Sequence, residues 1–323
     1  MIVDIHAHYA PKPYTDTVAA IRARVGPGPG PVRNLGVLSQ LITDSPADLE
    51  GRLKLMDEAG VQKQVLSMTN GPYFEAESDG VAASTVCNDS FAELTRRYPD
   101  RFASFINLPL PHIDAALREI RRGYDELGMA GVVMNCSVFD RSTAEVEFEP
   151  LYAELNRRNG VLFFHPIQNG ICSPLVNDYK FTVSIGASME DAMIAAHLIV
   201  RQVPARYPNI KIIVPHFGGI LPMLLQRLDN QDAAHHPDLP ERPSVTARRF
   251  YYDTVGHGSQ AALLCAWQAF GAEHLVTGSD YPVLLQFESY KRTFDYINDS
   301  KLLPAGDIDM ILNRNAGGLF GWA

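Results

Sequence analysis

Eight short runs of strand-forming residues alternate with amphipathic helical patterns along this chain of 323 residues. Most of the runs are apolar at successive positions, which is typical of parallel strands covered by helices on both faces. A strand followed by a helix, repeated eight times in a chain of this length, predicts an α/β fold of the (β/α)8 TIM-barrel type. We expect a single domain over residues 1–323, with strands near 2–5, 61–67, 102–108, 131–135, 161–165, 211–216, 250–253 and 275–279.

An open, doubly wound sheet is the alternative architecture. That fold would favour a Gly-x-Gly-x-x-Gly turn after an early strand, and the sequence has none. The helical stretches carry clear boundary signals. Ser45 and Pro46 predict a helix start, Asp48 completes a pattern like a capping box, and Gly60 predicts the helix end. Further helices are predicted at 79–98, 113–127, 143–158 and 188–207, and a polar loop at 229–243.

The net charge of the chain, −9 at neutral pH, comes without any block of Lys or Arg residues. This argues against nucleic acid or an anionic membrane as a partner. The chain begins with a strand-like segment instead of a secretory signal, and its apolar runs are short for a membrane span. We therefore expect a cytoplasmic protein, with its four well-separated cysteines as free thiols.

Two histidines, His6 and His8, stand one residue apart at the end of the first apolar run. Side chains alternate between the two faces of a strand, so both imidazoles point the same way and their α-carbons lie roughly 7 Å apart. Both can therefore reach one metal ion. Taken alone, such a pair is more often an ordinary polar strand end.

Three more reactive side chains end predicted strands, namely His165, His216 and Asp280. In a (β/α)8 barrel the C-terminal strand ends line one mouth. Three histidines and a carboxylate can bind a divalent metal ion and leave a position open for water, and a further histidine can shuttle a proton. A single strand-end histidine is more often structural, but five such residues at one mouth favour a metal site.

Six segments make the chain resemble a known family over nearly its whole length. They are DIHAH at 4–8, RLKLMDEAGV at 52–61, FFHP at 163–166, PHFGG at 215–219, GSDYP at 278–282 and NAGGLF at 315–320. These segments are similar to those of the amidohydrolase superfamily, in the branch of aminocarboxymuconate semialdehyde decarboxylase and related decarboxylases. Several aromatic-acid decarboxylases begin with Glu-x-His, so His-x-His here favours the zinc-using type.

The resemblance implies a role for each matching residue. The implied metal ligands are His6, His8, His165 and Asp280, and they would hold one divalent ion, with zinc expected and manganese as the alternative. His216 matches the acid/base histidine, so His216 and Asp280 are the expected catalytic residues. Arg52 matches an arginine that holds a substrate carboxylate. Arg227 matches a second such arginine, which is supplied across a subunit interface and so implies a homodimer.

These roles predict a metal-dependent carboxy-lyase that acts on a small unsaturated or aromatic carboxylic acid. The same ligand set also serves a hydrolase of a lactone or amide, or a hydratase of an unsaturated acid, because the metal can direct hydroxide at carbon. A barrel that only binds is the third reading, and the intact ligand set argues against it. The Gly-Pro repeat from Gly26 to Pro31 predicts a loop at the barrel mouth, either a surface excursion or a lid.

Overall fold

The computed structural model describes residues 1–26 and 44–322 and places eight parallel strands in one sheet. Each strand pairs with the next along the chain. The last strand meets the first through backbone hydrogen bonds, of which Ile5 N–H to Thr277 O is 2.9 Å long. The sheet therefore curls into the predicted barrel. Its strands are β1 Ile2–His8, β2 Val61–Ser67, β3 Phe102–Asn107, β4 Gly131–Asn135, β5 Val161–His165, β6 Lys211–Val214, β7 Tyr251–Asp253 and β8 Leu275–Val276.

Helices cover the outside of the barrel. They span Lys12–Val25, Pro46–Ala59, Glu77–Arg97, Ile113–Asp125, Glu149–Arg157, Pro174–Asn177, Ala187–Val200, Val203–Arg206, Leu221–His235, Pro243–Ala247, Gln260–Phe270, Arg292–Asn298, Ala305–Asp309 and Asn315–Phe320. The predicted boundary signals of the second helix are confirmed. The Ser45 hydroxyl accepts a hydrogen bond from Asp48 N–H, Pro46 is the first helical residue, and Gly60 ends the helix at a φ of 69°.

Three predicted boundaries are wrong. The helix predicted at 188–207 ends at Val200, because Gln202 is left-handed with a φ of 54°, and a separate helix spans Val203–Arg206. The helix predicted from residue 143 begins at Glu149, because Thr143 instead donates its hydroxyl hydrogen to Asn135 O beside a short hairpin. The polar loop predicted at 229–243 is helical as far as His235. Buried Leu221 and Leu225 anchor that helix, and its polar residues form the solvent face.

The barrel interior is apolar below the mouth. Val3 and Ile5 pack there with Phe163, and the C-terminal helix adds Leu319 to the same cluster at the lower end. A register shift in β1 between Asp4 and Ala7 marks a bulge. The bulge changes the phase of the alternation, so that His6 also contacts Phe163, with ring centroids 5.0 Å apart. Along β1, the residues in the barrel interior therefore change from the apolar Val3 and Ile5 to the candidate metal ligands His6 and His8.

The segment Thr182–Val200 is long and apolar enough to cross a membrane by length and composition, contrary to the expectation that no run reaches that length. Half of the window is buried inside the protein, and Glu190 and Asp191 within it contact loops at the barrel mouth. These contacts are typical of a core helix of the barrel layer. Of the Gly-Pro repeat only Gly26 is described, so the lid hypothesis for Gly26–Pro31 lies outside the described residues.

Candidate metal centre

The four residues expected to bind metal meet at the C-terminal mouth of the barrel. His6 and His8 lie at the end of β1, His165 ends β5, and Asp280 follows β8. One ligand atom from each lies within 4.8 Å of the others. The three histidines are buried, while the Asp280 side chain is 15% exposed. The cluster therefore has one side open to solvent.

Distances within the cluster suit a single cation. His6 Nε2 and His8 Nε2 are 3.1 Å apart, and Asp280 Oδ1 lies 2.9 Å from His8 Nε2 and 3.5 Å from His6 Nε2. Ligand atoms around a tetrahedral metal ion with bonds of about 2.0–2.1 Å lie roughly 3.3 Å from one another. Imidazole and carboxylate donors also suit a divalent transition metal. The site is thus suited to one divalent ion.

Hydrogen bonds to the other ring nitrogen orient each histidine. His6 Nδ1–H donates to Asp253 Oδ2 at 2.8 Å, and His165 Nδ1–H donates to Pro166 O at 2.8 Å. His8 Nδ1 bonds to the Ser67 hydroxyl at 3.2 Å. Metal-binding histidines are held in this way because the partner fixes the ring and its tautomer. The Nε2 atom of each ring is thereby left available to bind a metal ion.

Asp280 is placed by a polar network behind the cluster. Its backbone is left-handed, with a φ of 58°, and its N–H donates to His6 O at 2.8 Å. The preceding Ser279 donates its hydroxyl hydrogen to the buried Asp4 carboxylate at 2.7 Å, which also accepts from Tyr290 at 2.8 Å. Gly278 is required here, because a Cβ atom would lie 2.9 Å from the Cβ of His6. The first strand and the Asp280 loop are therefore locked together.

His216 stands beside the cluster, with its ring centroid 5.2 Å from that of His6. The backbone N–H of His216 donates to Asp253 Oδ1 at 2.8 Å, and its ring Nδ1–H donates to Asp191 Oδ2, also at 2.8 Å. The chain turns sharply there, since His216 and Phe217 both have a positive φ. A Cβ atom at Gly219 would lie 1.9 Å from Ser188 O, so only glycine fits that close approach. The turn presents the imidazole toward the cluster.

The protonation states support different roles for these groups. Burial lowers the pKa of His165 well below its usual value, and the neighbouring His8 and His6 lower it further, so the ring is neutral. Burial also lowers the pKa of His216, but the Asp191, Asp253 and Asp280 carboxylates outweigh it and raise that pKa to about 9. Burial would raise the pKa of Asp280, yet its hydrogen bond to His8 and the nearby histidines hold it well below its usual value.

Two carboxylates of the site were missed in the sequence. Asp253 ends β7, so the rule that selected the other strand-end residues would have selected it as well. Asp191 lies on the helix Ala187–Val200, and neither its spacing nor its neighbours in the sequence point to His216. Only the packing of that helix against the mouth brings it there.

Arg52 lies behind the cluster and not in open space. It is 3% exposed, its Nη2 donates to His8 O at 2.6 Å, and its Nη1 donates to Gln64 Oε1 at 3.1 Å. The guanidinium also lies over the Tyr281 ring, 4.3 Å from its centroid. These contacts brace the end of β1. The expected binding of a substrate carboxylate by Arg52 remains a prediction.

Arg227 is exposed on the helix Leu221–His235. Within the part of the chain that the structure describes, it forms no ion pair. One turn earlier on the same helix, the Met223 side chain is 78% exposed. The expected role of Arg227 in the site of another subunit is not tested by a single chain.

The sequence model of the family described as Amidohydrolase matches residues 3–322. The chain belongs to the amidohydrolase family. It is 28% identical to the gamma-resorcylate decarboxylase of Rhizobium radiobacter over 293 residues, covering 83% of this chain and 86% of that protein. It is 24% identical to the 2-amino-3-carboxymuconate-6-semialdehyde decarboxylase of Dictyostelium discoideum, covering 73% of this chain and 67% of that protein. The resemblance seen in the sequence is thereby confirmed.

A solved structure shows the same fold. The dihydroxybenzoic acid decarboxylase of Polaromonas sp. JS666, crystallised with manganese and the inhibitor 2-nitroresorcinol, superposes with a TM-score of 0.82. The match covers 99% of this amidohydrolase and 96% of that chain at 22% identity. It confirms the barrel architecture.

Proposed function

We propose that this amidohydrolase is a metal-dependent, non-oxidative decarboxylase of a small aromatic carboxylic acid. The observation that carries the proposal is that its relatives named above, matched over most of both chains, are decarboxylases. The cluster of His6, His8, His165 and Asp280 supports it, because these four side chains place their ligand atoms close enough together to bind one metal ion. His216 beside that cluster supplies a group for proton transfer.

In the proposed reaction the bond between a substrate carbon and its carboxylate breaks, and carbon dioxide leaves. The electron pair stays with the carbon until a proton reaches it. When bound, a divalent cation would stabilise the negative charge that develops on the substrate. His216 is placed to deliver the proton through Nε2, since Asp191 holds its Nδ1. The ionised Asp280 carboxylate, at the open side of the cluster, is the second proposed catalytic group.

Zinc is the metal that we propose for the cell, with manganese as the alternative. Three imidazoles and one carboxylate form the kind of nitrogen-rich site that zinc favours. The manganese in the Polaromonas protein supports the alternative. Protein reconstituted with each metal separately, and assayed at equal occupancy, decides between the two. A rate at least tenfold higher with manganese would overturn the choice of zinc.

A homodimer is proposed as the working form, in which Arg227 of one subunit reaches the substrate carboxylate of the other. Its support is a set of exposed, large apolar side chains. Met223 is exposed on this helix, and Leu175, Tyr179, Phe181 and Val183 are exposed on the segment before the helix Ala187–Val200. Exposed apolar residues in such number are typical of an interaction surface. We also propose that the protein is cytoplasmic, in keeping with its four unpaired cysteines.

Product analysis tests the function. Metal-loaded protein is incubated with hydroxybenzoic, dihydroxybenzoic and small unsaturated dicarboxylic acids, and carbon dioxide and the organic product are both measured. Stoichiometric carbon dioxide and a product one carbon shorter are expected. A product that keeps every carbon and gains water would establish the alternative hydrolase or hydratase. The matched control is His216→Gln, which keeps the metal ligands and is expected to have a much lower but still measurable kcat.

A further inference from the structure

Asp191 belongs to an outer helix, yet its carboxylate reaches the barrel mouth. It is fully buried, and its Oδ2 lies 2.8 Å from His216 Nδ1. Its other oxygen, Oδ1, lies 4.0 Å from the Cys136 thiol, at the outer limit of a hydrogen bond to sulfur. A buried carboxylate is costly unless it is paired, so His216 is the partner that makes this position tenable.

The contact keeps a proton on one particular ring nitrogen of His216. A carboxylate can only accept, so His216 Nδ1 carries the hydrogen and Nε2 is left without a described protein partner. The backbone adds a second constraint, since His216 N–H donates to Asp253 Oδ1 at 2.8 Å. The imidazole is therefore held at its backbone and at one edge. Its free edge is the one that can meet a substrate.

The location of Asp191 makes this more than local packing. His216 follows β6 and sits on a turn whose two leading residues have a positive φ, a conformation that is strained for residues other than glycine. Such a turn needs contacts from outside to hold it in one state. The helix Ala187–Val200 supplies them twice, through the Asp191 carboxylate and through the close approach of Ser188 O to Gly219.

We propose that Asp191 is the positioning residue of the proton transfer: it fixes the orientation of His216 and holds the Nδ1 proton in place, so that Nε2 is the atom that exchanges the proton. The kinetic part of this inference rests on the proposed decarboxylation. The structural part does not, because it concerns a hydrogen bond of the zinc-loaded protein at rest.

The structural part is tested by proton NMR of the zinc-loaded protein. An imidazole N–H bonded to a buried carboxylate gives a far-downfield resonance that exchanges slowly. We expect one such resonance to disappear in His216→Gln and to move upfield in Asp191→Asn, whose metal content is unchanged. No resonance assignable to His216, or one that Asp191→Asn leaves in place, would overturn the proposal even if no substrate were found.

The kinetic part is tested by a double-mutant cycle on the identified substrate. Asp191→Asn is expected to lower kcat by about 10²-fold with little change in KM, as for loss of positioned acid-base catalysis. In the His216→Gln background the same substitution is expected to have no further effect, because it acts through His216. Equal losses of kcat in both backgrounds would overturn the proposal.

A second buried carboxylate gives the matched control. Glu119 is 7% exposed and accepts from Asn88 Nδ2 at 2.7 Å and from Arg122 on the helix Ile113–Asp125. Glu119→Gln removes a buried charge as Asp191→Asn does, but away from His216. It is expected to lower the melting temperature and keep kcat. A similar loss of kcat in both variants would assign the effect to general destabilisation and refute the positioning role.

Discussion

The side chains of His6 and Asp253, 247 positions apart in the sequence, share a fully buried hydrogen bond of 2.8 Å between Nδ1 and Oδ2. The other oxygen of the same carboxylate accepts from the backbone of His216, also at 2.8 Å. The Asp253 carboxylate thus orients the imidazole of His6, a proposed metal ligand, and positions the backbone of His216, the proposed acid. Movement of Asp253 would disturb both.

Asp253→Asn is therefore expected to weaken metal binding by about 10- to 100-fold, the usual effect of losing the partner of a metal-binding histidine. Zinc affinity measured by competition with a chelator tests this. Asp229→Asn is the control, because Asp229 is bonded to Ser244 on the outer surface and should leave zinc affinity unchanged. Equal affinities for Asp253→Asn and the parent protein would contradict the account.

The raised pKa of Glu190 leads us to predict that the stability of the protein depends on pH. It accepts three backbone N–H groups of the loop after β5, from Ile167, Gln168 and Gly170. Burial, together with the adjacent Asp191, raises the pKa of Glu190 to about 7. Because this pKa is higher in the folded than in the unfolded protein, its contribution to stability is complete below about pH 4.5 and is lost as the pH rises through 7.

In Glu190→Gln that loss should be absent. The difference between 4.5 and about 7 corresponds to at most about 3 kcal/mol. Urea unfolding at pH 5 and pH 8 measures it in both proteins. Between pH 5 and pH 8, the free energy of unfolding should fall more in the parent protein than in Glu190→Gln. The same pH dependence in both would show that Glu190 ionises normally in the folded protein.

Gly219 offers a test of the His216 turn. Gly219→Ala places a methyl group 1.9 Å from Ser188 O at a φ of 60°, so the turn must move and kcat is expected to fall strongly. Gly306→Ala is the matched control, because no atom lies within 4 Å of its Cβ position and its backbone is helical. We expect that control to keep kcat and to gain up to about 1 kcal/mol. An active Gly219→Ala variant would show that the turn tolerates movement.

A substitution of Arg52 distinguishes two roles for this residue, bracing the end of β1 and binding the substrate. Lysine lacks the planar fork through which Arg52 bonds His8 O and Gln64 Oε1, so Arg52→Lys is expected to lower the free energy of unfolding of the substrate-free protein by about 1–3 kcal/mol. Denaturant unfolding and KM are measured on the same preparations. Unchanged stability with a KM raised tenfold or more would contradict the bracing role and support the substrate-binding role expected from the sequence.

The strand ends were the most predictable part of the molecule. His6, His8, His165 and Asp280 follow from side-chain alternation and from the shared mouth of a barrel, both of which are local or topological rules. Asp253 obeys the same rule. Asp191 could not be found in this way, because a helix can present any of its faces to the mouth and only packing decides which one. The burial of Arg52 likewise depends on contacts across the barrel that no local pattern reports.

The central claim is that His6, His8, His165 and Asp280, from three regions of the sequence, bind one metal ion. Metal analysis combined with X-ray absorption at the metal edge tests this claim most directly. We predict one divalent ion per chain and a spectrum that shows three imidazole ligands and one carboxylate ligand. We also predict that His165→Ala loses the ion and that Glu119→Gln retains it. Full metal content in His165→Ala, or a spectrum without imidazole scattering, would contradict it.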